Sequence, residues 1–294
     1  MAERYRRGGW LAALLLLLPL AVEAQVRVHD DLGHEVVLAQ PASRVVSLAP
    51  HITELLFAVG AGEVIVGTAS HSDWPPQALE LPVVSHQGRP DLERIVALQP
   101  DLVIVWESGN GPRTRERLQA LGLTVYASEP RRLEQIATSL ARFGALTDRA
   151  QAGAEAAAAF RDGLQALKAD HAGRAPVRLF YQIWHQPLMT VGGDHIINEV
   201  VALCGGVNVF AELRPLAPTV DTEAVLAADP DVIIASGLGE PDPAWVEGWL
   251  RWPQLRAVRH ARLFTLDPDL LQRSTPRLLE GARQLCAALD SARS

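Results

Sequence analysis

Several enzyme motifs are missing from the sequence. It contains no Walker loop, no G-x-G-x-x-G after a strand, no G-x-S-x-G and no H-E-x-x-H. The Ser, His and Asp of residues 70–73 are contiguous, whereas a catalytic triad is assembled from distant segments. The chain also lacks a surplus of basic residues, because its formal net charge is −7. Such a charge does not suit nucleic-acid binding, which depends on basic residues that contact phosphates. These absences argue against an enzyme and leave a two-lobed transferase, which would need a phosphate loop, as a remote alternative.

Long apolar runs are absent except at the start of the chain. Arg4, Arg6 and Arg7 precede a leucine-rich core over residues 9–21, and Val22-Glu23-Ala24 fits a cleavage site. This pattern predicts a signal peptide over residues 1–24, cut after Ala24, with an uncleaved anchor as the alternative. No later segment reaches the run of about eighteen apolar residues that marks a membrane helix. We therefore expect a soluble chain exported to the periplasm.

Cysteine is scarce, with only Cys204 and Cys286 in the whole chain. In an exported protein an even pair is more often bridged than free. A bridge across a loop of that length would contribute about 4 to 5 kcal/mol of stability in the chain-entropy model. Two buried, unpaired thiols are the alternative.

One pattern occurs twice, at residues 92–105 and again at residues 222–235. In each copy a glutamate, Glu93 or Glu223, opens a short helix with apolar periodicity. A proline seven residues later prevents the helix from continuing and leads into a buried β run. The repeat predicts two similar α/β lobes around a cleft, with the two glutamates at equivalent places.

Strand and helix patterns alternate on both sides of a long stretch that lacks proline. Such alternation indicates parallel sheets with right-handed crossovers. The central stretch begins at Thr147, a good N-cap residue, and predicts a stiff helix of about 36 Å. The predicted fold class is α/β, with two Rossmann-like lobes, each with its own core, joined by a single long rigid helix. The expected boundaries are residues 25–146 for the N-terminal lobe, 147–173 for the connecting helix and 174–294 for the C-terminal lobe.

Five motifs occur in an order that resembles one protein family. They are Ser47-Leu48-Ala49-Pro50 with Thr53-Glu54-Leu55, Ser72-Asp73-Trp74-Pro75-Pro76, residues 92–105 with Trp106, Leu203-Cys204-Gly205-Gly206 with Asn208 and Phe210, and Arg273-x-x-Pro276-Arg277 with Gln284-Leu285-Cys286. Together they resemble the helical-backbone (class III) periplasmic binding proteins, and among these the cobalamin receptors. The resemblance covers nearly all of the chain after residue 24.

The resemblance implies a monomeric binding protein that carries cobalamin, or a related corrinoid, to an ABC importer. The corrinoid would be cargo, so no cofactor is expected. A disulfide between Cys204 and Cys286 and little closure on binding are implied in the same way. A receptor for haem or a ferric siderophore is the alternative within the same family.

The family's ligand-contacting positions fall in loops that follow strand ends, where open α/β sheets place their ligands. Carried over to this chain, they are Pro50, His51, His71, Trp74, His86, Trp106, Ile183, Trp184, Asp269 and Arg273. The tryptophans would supply flat faces for a corrin ring, and Asp269 with Arg273 would face its amide rim. Three further tryptophans, Trp245, Trp249 and Trp252, have helical spacing, which favours packing over ligand contact.

The sequence departs from the cobalamin receptors at several of these positions. His71 and His86 replace a tyrosine and a tryptophan, Ala217 replaces another tryptophan, and His51 adds a third imidazole. The histidines could coordinate iron or cobalt, or they could hydrogen-bond to ligand amides, which is the interpretation we favour. A bare zinc or manganese site is disfavoured because no carboxylate lies at ligand spacing beside them.

The resemblance also assigns a partner to the repeated glutamates. Glu93 and Glu223 would dock on arginines of the importer's two membrane subunits, one glutamate to each. A helix N-terminus tolerates an anion, and a bidentate arginine would fix the orientation. The alternative is that both residues merely cap their helices.

Overall fold

The computed structural model describes residues 25–237 and 242–293. The predicted signal peptide and its cleavage site lie outside the described residues. Within the described part of the chain, no helix is long and apolar enough to span a membrane.

The first half of the chain forms a mostly parallel sheet with helices between its strands. The strands of this sheet are β3 (Val45–Ser47), β4 (Ile65–Ala69), β5 (Val83–His86), β6 (Arg89–Pro90), β7 (Leu102–Trp106) and β8 (Val125–Ser128), whereas β1 (Val26–His29) and β2 (Glu35–Leu38) form a separate two-stranded sheet. Its helices are α1 (Pro50–Ala58), α2 (Leu92–Ala97), α3 (Glu107–Asn110), α4 (Pro112–Ala120) and α5 (Leu133–Leu146). The sheet order is β6-β5-β4-β3-β7-β8, and β6 is antiparallel to β5. The sequence predicts a hairpin over residues 26–37, and the structure has it as β1 paired with β2.

The second half follows the long helix α6 (Ala150–His171) and forms a second sheet. Its strands are β9 (Val177–His185), β10 (Leu188–Thr190), β11 (Gly206–Asn208), β12 (Val232–Ala235) and β13 (Leu263–Thr265). Its helices are α7 (Ile196–Leu203), α8 (Thr222–Ala228), α9 (Ala244–Glu247), α10 (Arg256–Arg259), α11 (Pro268–Leu271) and α12 (Leu278–Ser291). The order is β10-β9-β12-β13, and β11 also pairs with β9. The sequence predicts a loop over residues 184–193, and this is wrong in part, because β9 continues to His185 and turns back into β10.

The sequence repeat has matching local structure in the two halves. Asp91 caps the N-terminus of α2 and Asp221 caps that of α8, each accepting a backbone N–H three residues later. Gln99 and Asp229, just before the two prolines, both have positive φ, at 48° and 41°. The two halves therefore share their helix caps and helix ends as well as their residue pattern.

The connecting helix begins later than predicted. The Thr147 hydroxyl donates to the Phe143 carbonyl at 2.7 Å and so closes the last turn of α5 instead of capping α6. After the left-handed residue Asp148, α6 starts at Ala150 and runs for 22 residues, about 33 Å. A Cβ on Gly153 would lie 2.7 Å from the Leu140 carbonyl oxygen, so only glycine allows α5 and α6 to approach this closely.

Each lobe has an apolar cluster of its own, around Val103 in the first and Ile233 in the second, as the sequence predicts, but a third and larger cluster is shared between the lobes. The buried side of α6 carries Ala157, Phe160, Leu164 and Leu167 at helical spacing. These residues belong to one apolar cluster that extends from α1 and α5 of the first lobe to α7 and α12 of the second. The helix is therefore part of a core common to both lobes, which accounts for a stiff connection between them.

The disulfide is confirmed. Cys204, at the end of α7, is bonded to Cys286 in α12, with the Cα atoms 4.8 Å apart. Both residues are buried, so the bond joins two helices of the second lobe inside the core.

Candidate functional site

A cavity of about 790 Å³ lies between the two lobes. The first lobe contributes loops that follow β3, β4, β5 and β7, and the second contributes the segment after β13. This is the edge of an open α/β sheet at which ligands bind. Six of the ten predicted positions line the cavity: Pro50, His51, His71, Trp106, Asp269 and Arg273.

His51 and Trp106 form an aromatic corner on the first-lobe side. Their rings meet edge to face with centroids 5.4 Å apart. His51 lies in the first turn of α1 and is 7% exposed, whereas Trp106 ends β7 and is 39% exposed. Burial, with a smaller contribution from the charge of Arg273, lowers the pKa of His51 to about 4. The imidazole is therefore neutral at neutral pH, and its buried Nε2 has no hydrogen-bond partner among the described residues.

Short hydrogen bonds hold the loops that carry these side chains. The Thr53 hydroxyl lies 2.8 Å from the Ser47 hydroxyl and 3.1 Å from that of Ser72, which ties α1 to the loop after β4. The Asn110 side chain accepts from the Trp106 backbone N–H at 2.8 Å and donates to the Leu48 carbonyl at 3.2 Å. The aromatic corner therefore rests on a fixed backbone.

Arg273 is the centre of a charged cluster on the cavity wall. Its guanidinium lies 2.6 Å from the Asp73 carboxylate and 2.8 Å from that of Asp269. Burial alone would raise the pKa of Asp73, but the hydrogen bond and charge of Arg273 lower it overall. Burial raises the pKa of Asp269, and the charges of Asp73 and Asp267 add to that effect against Arg273. A carboxylate from each lobe thus meets one guanidinium.

Trp74 and His86 are near the cavity but do not line it. The Trp74 ring lies beneath the Arg277 guanidinium, with the Cζ atom 4.5 Å from the ring centroid. His86 is exposed at the end of β5, after the buried residues Val84 and Ser85. The turn after it, at Gln87 and Gly88, reaches the cavity instead.

Ile183 and Trp184 also lie outside the cavity lining. Trp184 donates to the Gln186 carbonyl at 2.9 Å, and its ring meets that of Trp245 at 5.5 Å. Trp249 and Trp252, 5.2 Å apart, lie with Trp245 along a smaller pocket of about 370 Å³. The packing predicted for these three tryptophans thus has a counterpart in the structure, and Trp184 packs beside them.

The two repeated glutamates are exposed, in the first turns of α2 and α8. Because Asp91 and Asp221 make the side-chain caps, Glu93 and Glu223 do not cap their helices. Neither glutamate forms an ion pair within the described residues.

Sequence reasoning missed several polar residues that line the cavity: Asp73, Gln87, Asn110, Asp267 and Gln272. Asp73 stands inside a motif that was noticed for its tryptophan, and Asp267 lies two residues before Asp269. The other three carry no sequence signal that we can identify. Within residues 25–237 and 242–293, no three His, Cys, Asp or Glu side chains are grouped as a metal site.

Comparisons with known proteins identify the family and the fold. Residues 45–270 match the model of a family described as periplasmic binding protein. The vitamin B12-binding protein of Vibrio cholerae serotype O1 is 39% identical over 255 residues, covering 86% of this chain and 91% of that protein. The crystal structure of a periplasmic vitamin B12 binding protein of Vibrio cholerae has a TM-score of 0.81 and 39% identity, with 86% and 99% of the two chains covered. A periplasmic haem-binding protein from Roseiflexus sp. RS-1 has a TM-score of 0.75 and 27% identity, with coverages of 85% and 99%.

Proposed function

Since the chain belongs to the periplasmic binding protein family, we propose that it captures cobalamin or a related corrinoid between its lobes and delivers it to an ABC importer. The family has a transport role based on binding. The observation that carries the proposal is the interlobe cavity in a chain 39% identical to a vitamin B12-binding protein over most of both lengths. In this proposal residues 25–146 and 174–294 are the two lobes and residues 147–173 connect them.

The cavity has the chemistry that a corrinoid needs. Trp106 offers a partly exposed aromatic surface beside His51, against which a flat macrocycle can lie. Asp267, Gln272 and Asn110 supply hydrogen-bonding groups around it for peripheral amides. In this role His51 and His71 are polar walls, and Pro50, Asp269 and Arg273 complete the contact surface.

Haem or a ferric siderophore is the second candidate, and the haem-binding relative supports it. A neutral His51 favours this candidate too, since an uncharged imidazole is the form that binds iron. The charge of the residues around the cavity argues against haem or a ferric siderophore. Four carboxylates, of Glu54, Asp73, Asp267 and Asp269, surround only two guanidiniums, of Arg273 and Arg277. A surplus of negative charge repels an anionic chelate more than a neutral corrinoid.

Delivery would use the two exposed glutamates. Glu93 and Glu223 occupy matching positions on the two lobes, and both carboxylates are available to an external cation. Two arginines, one on each membrane subunit of an importer, would match this arrangement. In this proposal residues 1–24 are a signal peptide that directs export to the periplasm and is cut after Ala24.

The ligand can be identified from its colour. Protein without residues 1–24 is incubated separately with cyanocobalamin, haemin and a ferric hydroxamate, then passed through gel filtration. We expect cyanocobalamin to remain bound at one equivalent, with quenching of tryptophan fluorescence. Retention of haemin or the ferric chelate, with cyanocobalamin lost, would replace the first candidate with the second.

A further inference from the structure

Glu54 and Arg277 form a buried contact between the lobes, 223 residues apart in sequence. The Arg277 Nε and Nη2 atoms each donate to a different oxygen of the Glu54 carboxylate, both at 2.8 Å. One face of the same guanidinium lies over the Trp74 ring, with the Cζ atom 4.5 Å from the ring centroid. Glu54 is 3% exposed, so its charge depends on Arg277 and, at the longer distance of 3.9 Å, on the Arg273 guanidinium. We refer to Glu54, Trp74 and Arg277 as the interlobe joint.

The three residues of the interlobe joint do not line the cavity, but each lies within four residues of one that does. Glu54 is on α1, three residues after the cavity residue His51. Trp74 follows Asp73, whose carboxylate binds Arg273 of the opposite lobe. Displacing Arg277 would therefore move elements that carry lining residues on both sides.

The geometry of the contact is suited to fixing a distance. A bidentate pair of guanidinium and carboxylate defines an orientation as well as a separation, and the ring beneath it restricts the remaining freedom. A buried ion pair contributes little net stability compared with apolar residues of the same size. The value of such a contact thus lies more in geometry than in stability.

We propose that the interlobe joint sets the spacing of the two cavity walls, and that Arg277 is a positioning residue for the ligand. The joint holds the cavity open at one width before a ligand arrives, so binding requires little movement of the lobes. The effect on ligand binding rests on the proposed function, whereas the effect on lobe spacing does not.

The spacing of the lobes is measured directly by double electron–electron resonance between two nitroxide labels, attached to the cysteines of Gln119→Cys and Arg259→Cys. Both positions are exposed, one on each lobe. We expect a narrow distance distribution in the parent chain and a broader one in Arg277→Met, which keeps the aliphatic stem but not the bidentate contact. Arg283→Met, which removes an exposed ion pair of the same helix, is the matched control and should leave the distribution unchanged.

Ligand kinetics separate positioning from stability. Arg277→Met alone leaves the Glu54 charge buried, so the double variant Glu54→Gln with Arg277→Met is compared with it. The double variant should recover most of the lost stability and still release cyanocobalamin about tenfold faster than the parent, as for loss of a buried charge pair. If the contact only stabilises the fold, the double variant should recover the parental release rate together with the stability.

An unchanged distance distribution in both joint variants would overturn the proposal, as would a parental release rate in the double variant. If the parent chain does not bind cyanocobalamin, the proposed function fails. The distance measurement alone then decides the role of the interlobe joint.

Discussion

His51 should make the stability of the protein depend on pH. Its pKa of about 4 lies below the ordinary value of 6.5, because burial opposes the charged form. Between these values the unfolded chain binds a proton that the folded chain does not, so stability is complete above pH 6.5 and falls toward pH 4. The loss attributable to this group is at most about 3 kcal/mol. Denaturant unfolding of the parent and of His51→Gln, measured from pH 4 to pH 7, should show a flatter profile in the variant.

His29 provides the matched control, because it is an exposed histidine in β1. His29→Gln should retain the parental slope. His195 is also held neutral by burial, with a pKa of about 4, and should contribute pH dependence of the same sign that remains in His51→Gln. Identical profiles for the parent and His51→Gln would contradict the assignment.

Trp106 should contribute to ligand affinity in proportion to the ring surface it presents. Trp106→Ala should weaken cyanocobalamin binding by about 1 kcal/mol or more, as for a buried aromatic contact. Fluorescence titration of the variant measures this directly. Trp252→Ala is the comparison, since Trp252 does not line the interlobe cavity and its loss should leave the affinity unchanged. Equal affinities for the parent and Trp106→Ala would remove Trp106 from the site.

At the scale of elements, the bond between α7 and α12 should stabilise the second lobe. Its 82-residue separation corresponds to about 4.5 kcal/mol in the chain-entropy model, which engineered bonds often fall short of. Replacing both cysteines by serine should therefore lower the free energy of unfolding by a few kcal/mol. The midpoint in denaturant measures the loss, and intact-mass measurement after reduction should show a gain of about two daltons in the parent only. An unchanged midpoint would show that packing alone holds the two helices.

Element types were more predictable than element ends. The alternation of the longer strands and helices follows from periodicity and from prolines, which act locally, and the structure has this alternation. The predicted start of α6 was wrong because a threonine can close one helix or cap the next. Residue type alone does not distinguish these two roles of Thr147. The short strand β10 was missed because its pairing with β9 depends on a distant partner more than on its own residues.

At the scale of the whole molecule, the paired glutamates should be needed for transport and not for ligand capture. Glu93→Lys combined with Glu223→Lys should bind cyanocobalamin as the parent does and support no uptake, because like charges would face each other at the importer. Uptake in cells and affinity in solution are measured together. Glu116→Lys with Glu247→Lys changes the net charge equally at other exposed positions and should retain uptake. Full uptake by the first variant would rule out docking through these residues.

Six of the positions that line the interlobe cavity were predictable from the sequence, whereas the contacts among the side chains around it were not. Six expected positions meet at the cavity because the ends of parallel strands share one edge, which topology alone dictates. The role of Arg277 depends on Glu54 and Trp74, which only the relative placement of the lobes brings together. Trp184 turns toward Trp245 for a similar reason, since residue type does not decide which neighbour a ring will meet.

The apolar cluster that passes through α6 has a consequence for cutting the chain in two. Either half alone would expose Phe160, Leu164 and their neighbours to water, because each half covers only part of that helix. A fragment that ends on either side of α6 should therefore aggregate more readily than the whole chain. Since the two lobes share this cluster, we expect them to unfold together, with transitions that coincide when followed by tryptophan fluorescence and by circular dichroism.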